Sequence, residues 1–263
     1  MALINAPAEP TQRAKRWVAF VFALLLLALW FIASRDVPTY LMPSPADVWQ
    51  STVAIVTKAN RLIHVWTTLG HIGASIAIAF SLGAALAFTA YYQKWTFPTI
   101  YQRATPFLSA FSGVGWTLVA VIWFGVSSVT VVVTITVVLL PFALINLREG
   151  LNSLDPEIQE MALSFTRSKR RIWWRIMVPA LLPFAAATLR IMFGVAWKVA
   201  LTAELFGGGR GLGHVINLAR QDFDTSTIFA VILFIIIAVT LADRFVFAPL
   251  ERLTTRHFGN AAT

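Results

Sequence analysis

The chain has 263 residues, of which 58% are hydrophobic and only 13% charged, and its mean hydropathy is +0.73. So few charges cannot cover the surface of a soluble domain this long, which excludes that class and leaves an integral membrane protein. The formal charge of +9 would suit a nucleic-acid binder, but the cations lie in the links between apolar segments, as in a membrane protein oriented by cytoplasmic Lys and Arg.

In chain order, Arg13, Lys15 and Arg16 precede the apolar run Trp17 to Ser34, about 27 Å long at 1.5 Å per residue. This start imitates a secretory signal, yet no small-x-small cleavage site follows before Arg35 and Asp36, so the run is read as a retained first span. The stretch "YLMPSPADVWQSTVAIV" predicts a turn at Pro43 and Pro45, then a short interfacial helix anchored by Trp49. Residues 67–91, 105–125, 128–147, 181–206 and 227–250 are each long and apolar enough to cross, which makes six spans. The expected organisation is a tail over 1–16, an all-α six-span membrane domain over 17–250 with a large loop at 148–180, and a second tail over 251–263.

With the N-terminus placed inside, the inner segments hold Arg13, Lys15, Arg16, Lys94, Arg103, Arg148, Arg167, Lys169, Arg170, Arg171, Arg175, Arg252 and Arg256. The outer segments hold only Arg35, Lys58, Arg61, Arg210 and Arg220, so both termini are expected in the cytoplasm.

Within the second span, Gly73, Ala77, Ser81 and Ala85 recur every four residues, a small-residue stripe expected to pack against another helix. The third span begins with the interrupted stretch "SAFSGVGW", where Gly113, Gly115 and Trp116 are candidates for the pathway or its gate. In the loop, Asp155 is a suitable N-cap, Pro156 fits the first helical position, and Ile158, Met161, Ala162 and Phe165 share one face. Ser168 can cap a second amphipathic helix, which Pro179 would end. Periodicity leaves two readings open for this element: a topology signal lying among headgroups, or a helix that inserts into a groove on a soluble partner.

Arg190, Lys198 and Glu204 fall in or at the ends of the fifth span, where a charge near the bilayer centre costs about 2.5–3.5 kcal/mol. No two of them are close enough on the helix to pair, so partners must come from other spans, a second copy or the solute. Arg190, about 10 Å from Pro183, is expected to snorkel to the inner headgroups. Lys198, about 22 Å from Pro183, is the candidate for an anion contact, with a structural ion pair or outward snorkelling as the alternative. The chain lacks cysteine, and His64, His71 and His214 are too far apart in sequence to suggest a metal site.

Glu160, Met161 and Ala162, followed by Ile176, Val178 and Pro179, resemble the EAA loop of ABC-importer permeases. The resemblance extends from Met42 to Arg252 through "MPSPADV" (Met42 to Val48), "WFG" (Trp123 to Gly125), "AEL" (Ala203 to Leu205), "GLG" (Gly211 to Gly213) and "ADR" (Ala242 to Arg244). On these motifs the chain is similar to the inner-membrane permeases of the nitrate, sulfonate and taurine group of binding-protein-dependent type I importers. Thr166 stands where that pattern has a glycine, and Ser112, Gly113 and Gly115 stand where relatives usually show prolines.

The resemblance implies a non-catalytic permease subunit in the bacterial inner membrane. Two copies would pair around a central pathway for a small solute, an anion of the nitrate, sulfonate, taurine or bicarbonate type. A separate ATPase holding ATP and Mg would dock on a coupling helix at Glu160 to Arg167, contacting Glu160, Met161, Ala162, Phe165, Thr166 and Arg167, and a periplasmic or lipid-anchored solute-binding protein would deliver the solute. Glu204 would gate or hold the outer loop "GGGRGLG". That loop has neither Lys-Ser/Thr nor the G-x-G-x-x-G spacing, and no G-x-x-x-x-G-K-[ST] occurs, so no cofactor is expected on this chain itself. An ATP-independent secondary transporter or channel is the alternative, disfavoured by the lack of internal repeats.

Overall fold

A computed structural model describes residues 12–153, 168, 177–250 and 253. Among them every regular element is helical. Helix α1 (Gln12–Ala33) is nearly all apolar and keeps most of its large side chains exposed. It is held near its end by Trp30, whose Nε1 donates to Pro43 O (3.1 Å) and whose ring stacks on Phe229. Helix α2 (Pro45–Thr57) is the short helix expected after Pro43, and it starts at Pro45 itself. Ser44 and Asp47 form a reciprocal capping box and Pro45 occupies the first turn. Val48, Thr52 and Ile55 are buried on one face while Trp49 stays exposed.

Helix α3 (Ala59–Tyr92) begins well before the predicted Thr67. Hydropathy marks the part of a helix that suits lipid, and here Arg61 and His64 continue the helix beyond it. The small-residue stripe that packs inside the chain is Ser75, Ala79, Gly83 and Ala87, not the predicted one. A Cβ on Gly83 would stand 2.5 Å from Ala143 Cβ, so α3 and α6 approach there as closely as backbones allow. Gly73, Ala77, Ser81 and Ala85 are exposed, about 200° around the helix.

The third crossing also departs from expectation. A 3₁₀ turn (Lys94–Thr96) and a π-helical segment (Pro98–Ala104) lead into α4 (Thr105–Ala110), and α5 (Gly113–Phe124) follows at 87° to that run. Phe111 turns extended, and Ser112 caps α5 by accepting from Gly115 N–H (3.4 Å). Residues 105–125 are thus a broken pair rather than one straight span.

Helix α6 (Ser128–Asn152) lies between α3 and α7 (Val178–Gly207), and these three hold the core around Ile72, Ile135, Leu139, Met192 and Ala196. Pro179 sits in the first turn of α7, where the missing proline N–H is tolerated, and the helix it was expected to end lies outside the described residues. The short α8 (Leu212–Gln221) and α9 (Thr225–Ala242) complete the order, and α9 runs into a π-helical turn at Asp243–Phe247. Among the described residues, 59–92, 128–152, 178–207 and 225–250 are each long and apolar enough to cross a membrane, and the broken pair makes a fifth if its two halves count as one span. The two predicted loop helices, with Glu160, Met161, Ala162, Phe165, Thr166 and Arg167, lie outside the described residues; Ser168 is non-helical and exposed.

Candidate functional site

At the end of the bundle where α7 finishes, Glu204 is fully buried. A buried carboxylate is costly unless its oxygens are matched by donors, and here three meet it. Thr68 Oγ1 donates to Oε2 (2.8 Å), the Gly213 backbone N–H donates to the same oxygen (2.9 Å), and His71 Nδ1 lies 2.8 Å from Oε1. A carboxylate only accepts, so the imidazole donates from Nδ1. The Thr68 hydroxyl oxygen in turn accepts from Leu212 N–H (2.8 Å). His64 Nδ1 accepts from Gly211 N–H (3.1 Å), and the His64 and His214 rings lie 6.1 Å apart.

Helix α8 has no side-chain cap of its own, since Gly211 is its N-cap. Its first N–H groups are satisfied instead by Glu204 and Thr68, so the carboxylate sits at the positive end of the α8 dipole. This explains "GLG" physically. Gly211 has φ +116, and a Cβ there would overlap the Glu204 carboxyl; a Cβ on Gly213 would overlap Leu201 O. His64, Thr68 and His71 fall at i, i+4 and i+7 on α3, a polar face in an apolar helix. That spacing was readable in the sequence as a sign of a buried polar partner.

The three charges of α7 have different fates. Arg190 does not stand alone: its Nε and Nη2 donate to Asp243 Oδ1 (2.6 Å) and Oδ2 (3.0 Å) in a bidentate pair, a partner supplied by another helix. Lys198 is exposed and has no carboxylate partner among the described residues, whereas Trp197 beside it is buried against Phe193. Trp116 fixes the break between α4 and α5 by donating from Nε1 to Leu108 O (3.1 Å) and meeting Phe107 and Phe111 edge-on. At Gly113 a Cβ would rest 3.5 Å from Val199 of α7, and at Gly115 3.3 Å from Phe111. Glu204 and the Gly113–Trp116 turn thus belong to separate clusters. No group of three His, Asp or Glu able to hold a metal occurs among the described residues.

Residues 77–249 match the family described as the binding-protein-dependent transport system inner membrane component. The chain is 28% identical to the formylaminopyrimidine transport permease ThiX of Halalkalibacterium halodurans, over 80% of this chain and 84% of that protein. It is also 28% identical to the putative aliphatic sulfonates transport permease SsuC of Bacillus subtilis (92% and 90% covered) and 26% identical to the taurine transport permease TauC of Escherichia coli (89% and 87%). Its fold is similar to a chain of the MetNI methionine ABC transporter solved in inward-facing conformations, with a TM-score of 0.63 over 74% of this chain and 95% of that one, at 15% identity. The multi-pass helical bundle and the match over most of its length lead to one conclusion: the chain belongs to the family of inner-membrane components of binding-protein-dependent transport systems.

Proposed function

We propose that this chain lines the translocation pathway of an ATP-driven importer for a small anion, working as a pair of copies with two separate ATP-hydrolysing subunits and a solute-binding protein. The family match across residues 77–249 carries the reading, and it weighs against an ATP-independent carrier. In this reading α1, about 33 Å long, is the sixth crossing, both termini are cytoplasmic, and the Glu204 end faces outward. Glu160 to Arg167 form the coupling helix. ATP binding would draw the two coupling helices together and turn the pathway outward, and hydrolysis would return it. The chain does no covalent chemistry and binds no cofactor of its own.

The anion preference rests on Lys198. It lies about 30 Å along a helix about 45 Å long, exposed on the single chain and without a carboxylate partner among the described residues. The sulfonate and taurine permeases among the relatives support the same class. A second reading, a neutral heterocycle, is favoured by the likeness to a formylaminopyrimidine permease.

The test is native mass spectrometry of the tagged chain released gently from its own membranes. Two copies with two ATPase subunits are expected, and Glu160→Arg should strip the ATPases while leaving the chain in the membrane. A chain that emerges alone, under conditions that preserve a control importer, would overturn the reading.

A further inference from the structure

At the end of the bundle opposite Glu204, a cavity of about 400 Å³ opens between the end of α3, the segment that follows it and the end of α6. That volume is within the roughly 300–1,000 Å³ typical of small-molecule sites. Its walls are mainly apolar, with Leu151, Phe97 and Tyr101 among them, and among the described residues its charged lining is Lys94 and Arg148. No carboxylate lines it, and neither cation has a carboxylate partner among the described residues.

Arg148 is held in place by rings instead of an acid. Its Cζ lies 4.6 Å from the Phe97 ring centre and 4.8 Å from that of Tyr101. The π-helical segment brings these two rings to 5.2 Å from each other, on the side facing α6. The Tyr101 hydroxyl is engaged with Leu144 O (3.4 Å), which fixes the ring further. Aromatic faces orient a guanidinium without neutralising it, so the charge stays available to an anion. Asn152 adds an amide donor to the same lining.

Two cations without a carboxylate partner among the described residues, beside apolar walls at the end of membrane-spanning helices, suit a molecule with an anionic head and an apolar body. A free inorganic anion would leave the apolar walls bare. We infer that this cavity binds the phosphodiester headgroup of an acidic phospholipid, with Arg148 and Lys94 on the phosphate and the glycerol and upper acyl carbons against Leu151 and Phe97. Basic pockets between membrane helices take such headgroups elsewhere. Assignment to the inner leaflet rests on the orientation proposed above; the binding itself does not. Because α6 leads from this cavity into the loop that carries Glu160, the lipid would brace the root of that loop.

The experiment is native mass spectrometry of the intact complex, delipidated and then titrated with phosphatidylglycerol, with phosphatidylcholine, or with phosphatidylglycerol plus excess inorganic phosphate. Phosphatidylglycerol should be retained on the permease chain in preference to phosphatidylcholine and should resist inorganic phosphate. Arg148→Gln and Lys94→Gln should each weaken retention about fivefold, and both together roughly twenty-fivefold. Lys94 is exposed, so its variant keeps the test decisive if Arg148→Gln fails to fold. Unchanged retention in Lys94→Gln, equal retention of phosphatidylcholine, or displacement by inorganic phosphate would each overturn the proposal, the last by showing a free-anion site. The adduct is read on the permease chain whether or not ATPases remain attached, so loss of the ATPases would count against the importer reading alone.

Discussion

Glu204 in the last turn of α7 accepts a 2.9 Å hydrogen bond from the backbone N–H of Gly213 in the first turn of α8, so a side chain of one helix takes the capping place at the start of the next. Through Thr68 and His71 the same carboxylate also holds α3, and a single buried charge ties three helices together. Glu204→Gln keeps the shape but turns an amide NH₂ toward groups that themselves donate. We predict a loss of about 1–3 kcal/mol for that change, and about 3–5 kcal/mol for Glu204→Ala, which leaves His71 and Thr68 without their acceptor. Thermal unfolding of the purified chain is the measurement, and an unchanged melting temperature in Glu204→Gln would remove the latch.

Gly211 carries two constraints at once, a φ of +116 and a site where any Cβ would overlap the Glu204 carboxyl. At Gly209, two residues earlier, a Cβ would meet no atom within 4 Å, and the backbone φ is not positive. Gly211→Ala should therefore lower stability by more than about 1 kcal/mol, and Gly209→Ala should lie within about 0.5 kcal/mol of the parent chain. Equal behaviour of the two variants would show that the loop does not depend on the close approach of Glu204.

At the contact of α3 and α6, Gly83 faces Ala143. Gly83→Ala should lower the melting temperature by forcing the helices apart, and Ala143→Gly should restore much of it, because one Cβ fits between the backbones and two do not. If the double variant is no more stable than Gly83→Ala alone, the clash at Ala143 is not the cause.

These contacts show how far the sequence could be read. Four of the spans, the short helix after Pro43 and the interruption before Trp116 follow from local patterns and were legible. The packed stripe on α3 was not, because Gly73–Ala85 and Ser75–Ala87 are both small-residue series and only the position of α6 chooses between them. Arg190 poses the same difficulty. Its partner Asp243 lies 53 residues further on, and periodicity within one helix contains no information about the neighbour that another helix supplies. Glu204 could be linked to the glycine-rich loop from nearby motifs, but its donors Thr68 and His71 come from the far end of the chain order, 136 and 133 residues away.

The Arg190–Asp243 pair is bidentate, with both side chains about two-fifths exposed (40% and 44%), so solvent or headgroups screen it and its worth is modest. A double-mutant cycle with Arg190→Gln and Asp243→Asn should give a coupling of about 0.5–1 kcal/mol in thermal unfolding. Because the pair joins α7 to the turn after α9, the exchanged variant Arg190→Asp with Asp243→Arg should be more stable than either single reversal. Additive single effects would mean that the two residues act independently.

Lys198 provides the prediction that separates the two solute readings. A charge-assisted hydrogen bond lost from an anion is worth about 1.5–3 kcal/mol, so Lys198→Met should slow uptake of a sulfonate or nitrate by the reconstituted importer roughly tenfold or more. Because the side chain is exposed and makes no ion pair among the described residues, the same change should leave the melting temperature of the purified chain almost untouched. Lys198→Arg, which keeps the charge but changes its geometry, should restore part of the rate. A fall in uptake that tracks a fall in stability would assign Lys198 a structural role. Unchanged uptake with unchanged stability would remove it from the pathway, and with it the main physical reason on this chain for preferring an anion over a neutral heterocycle.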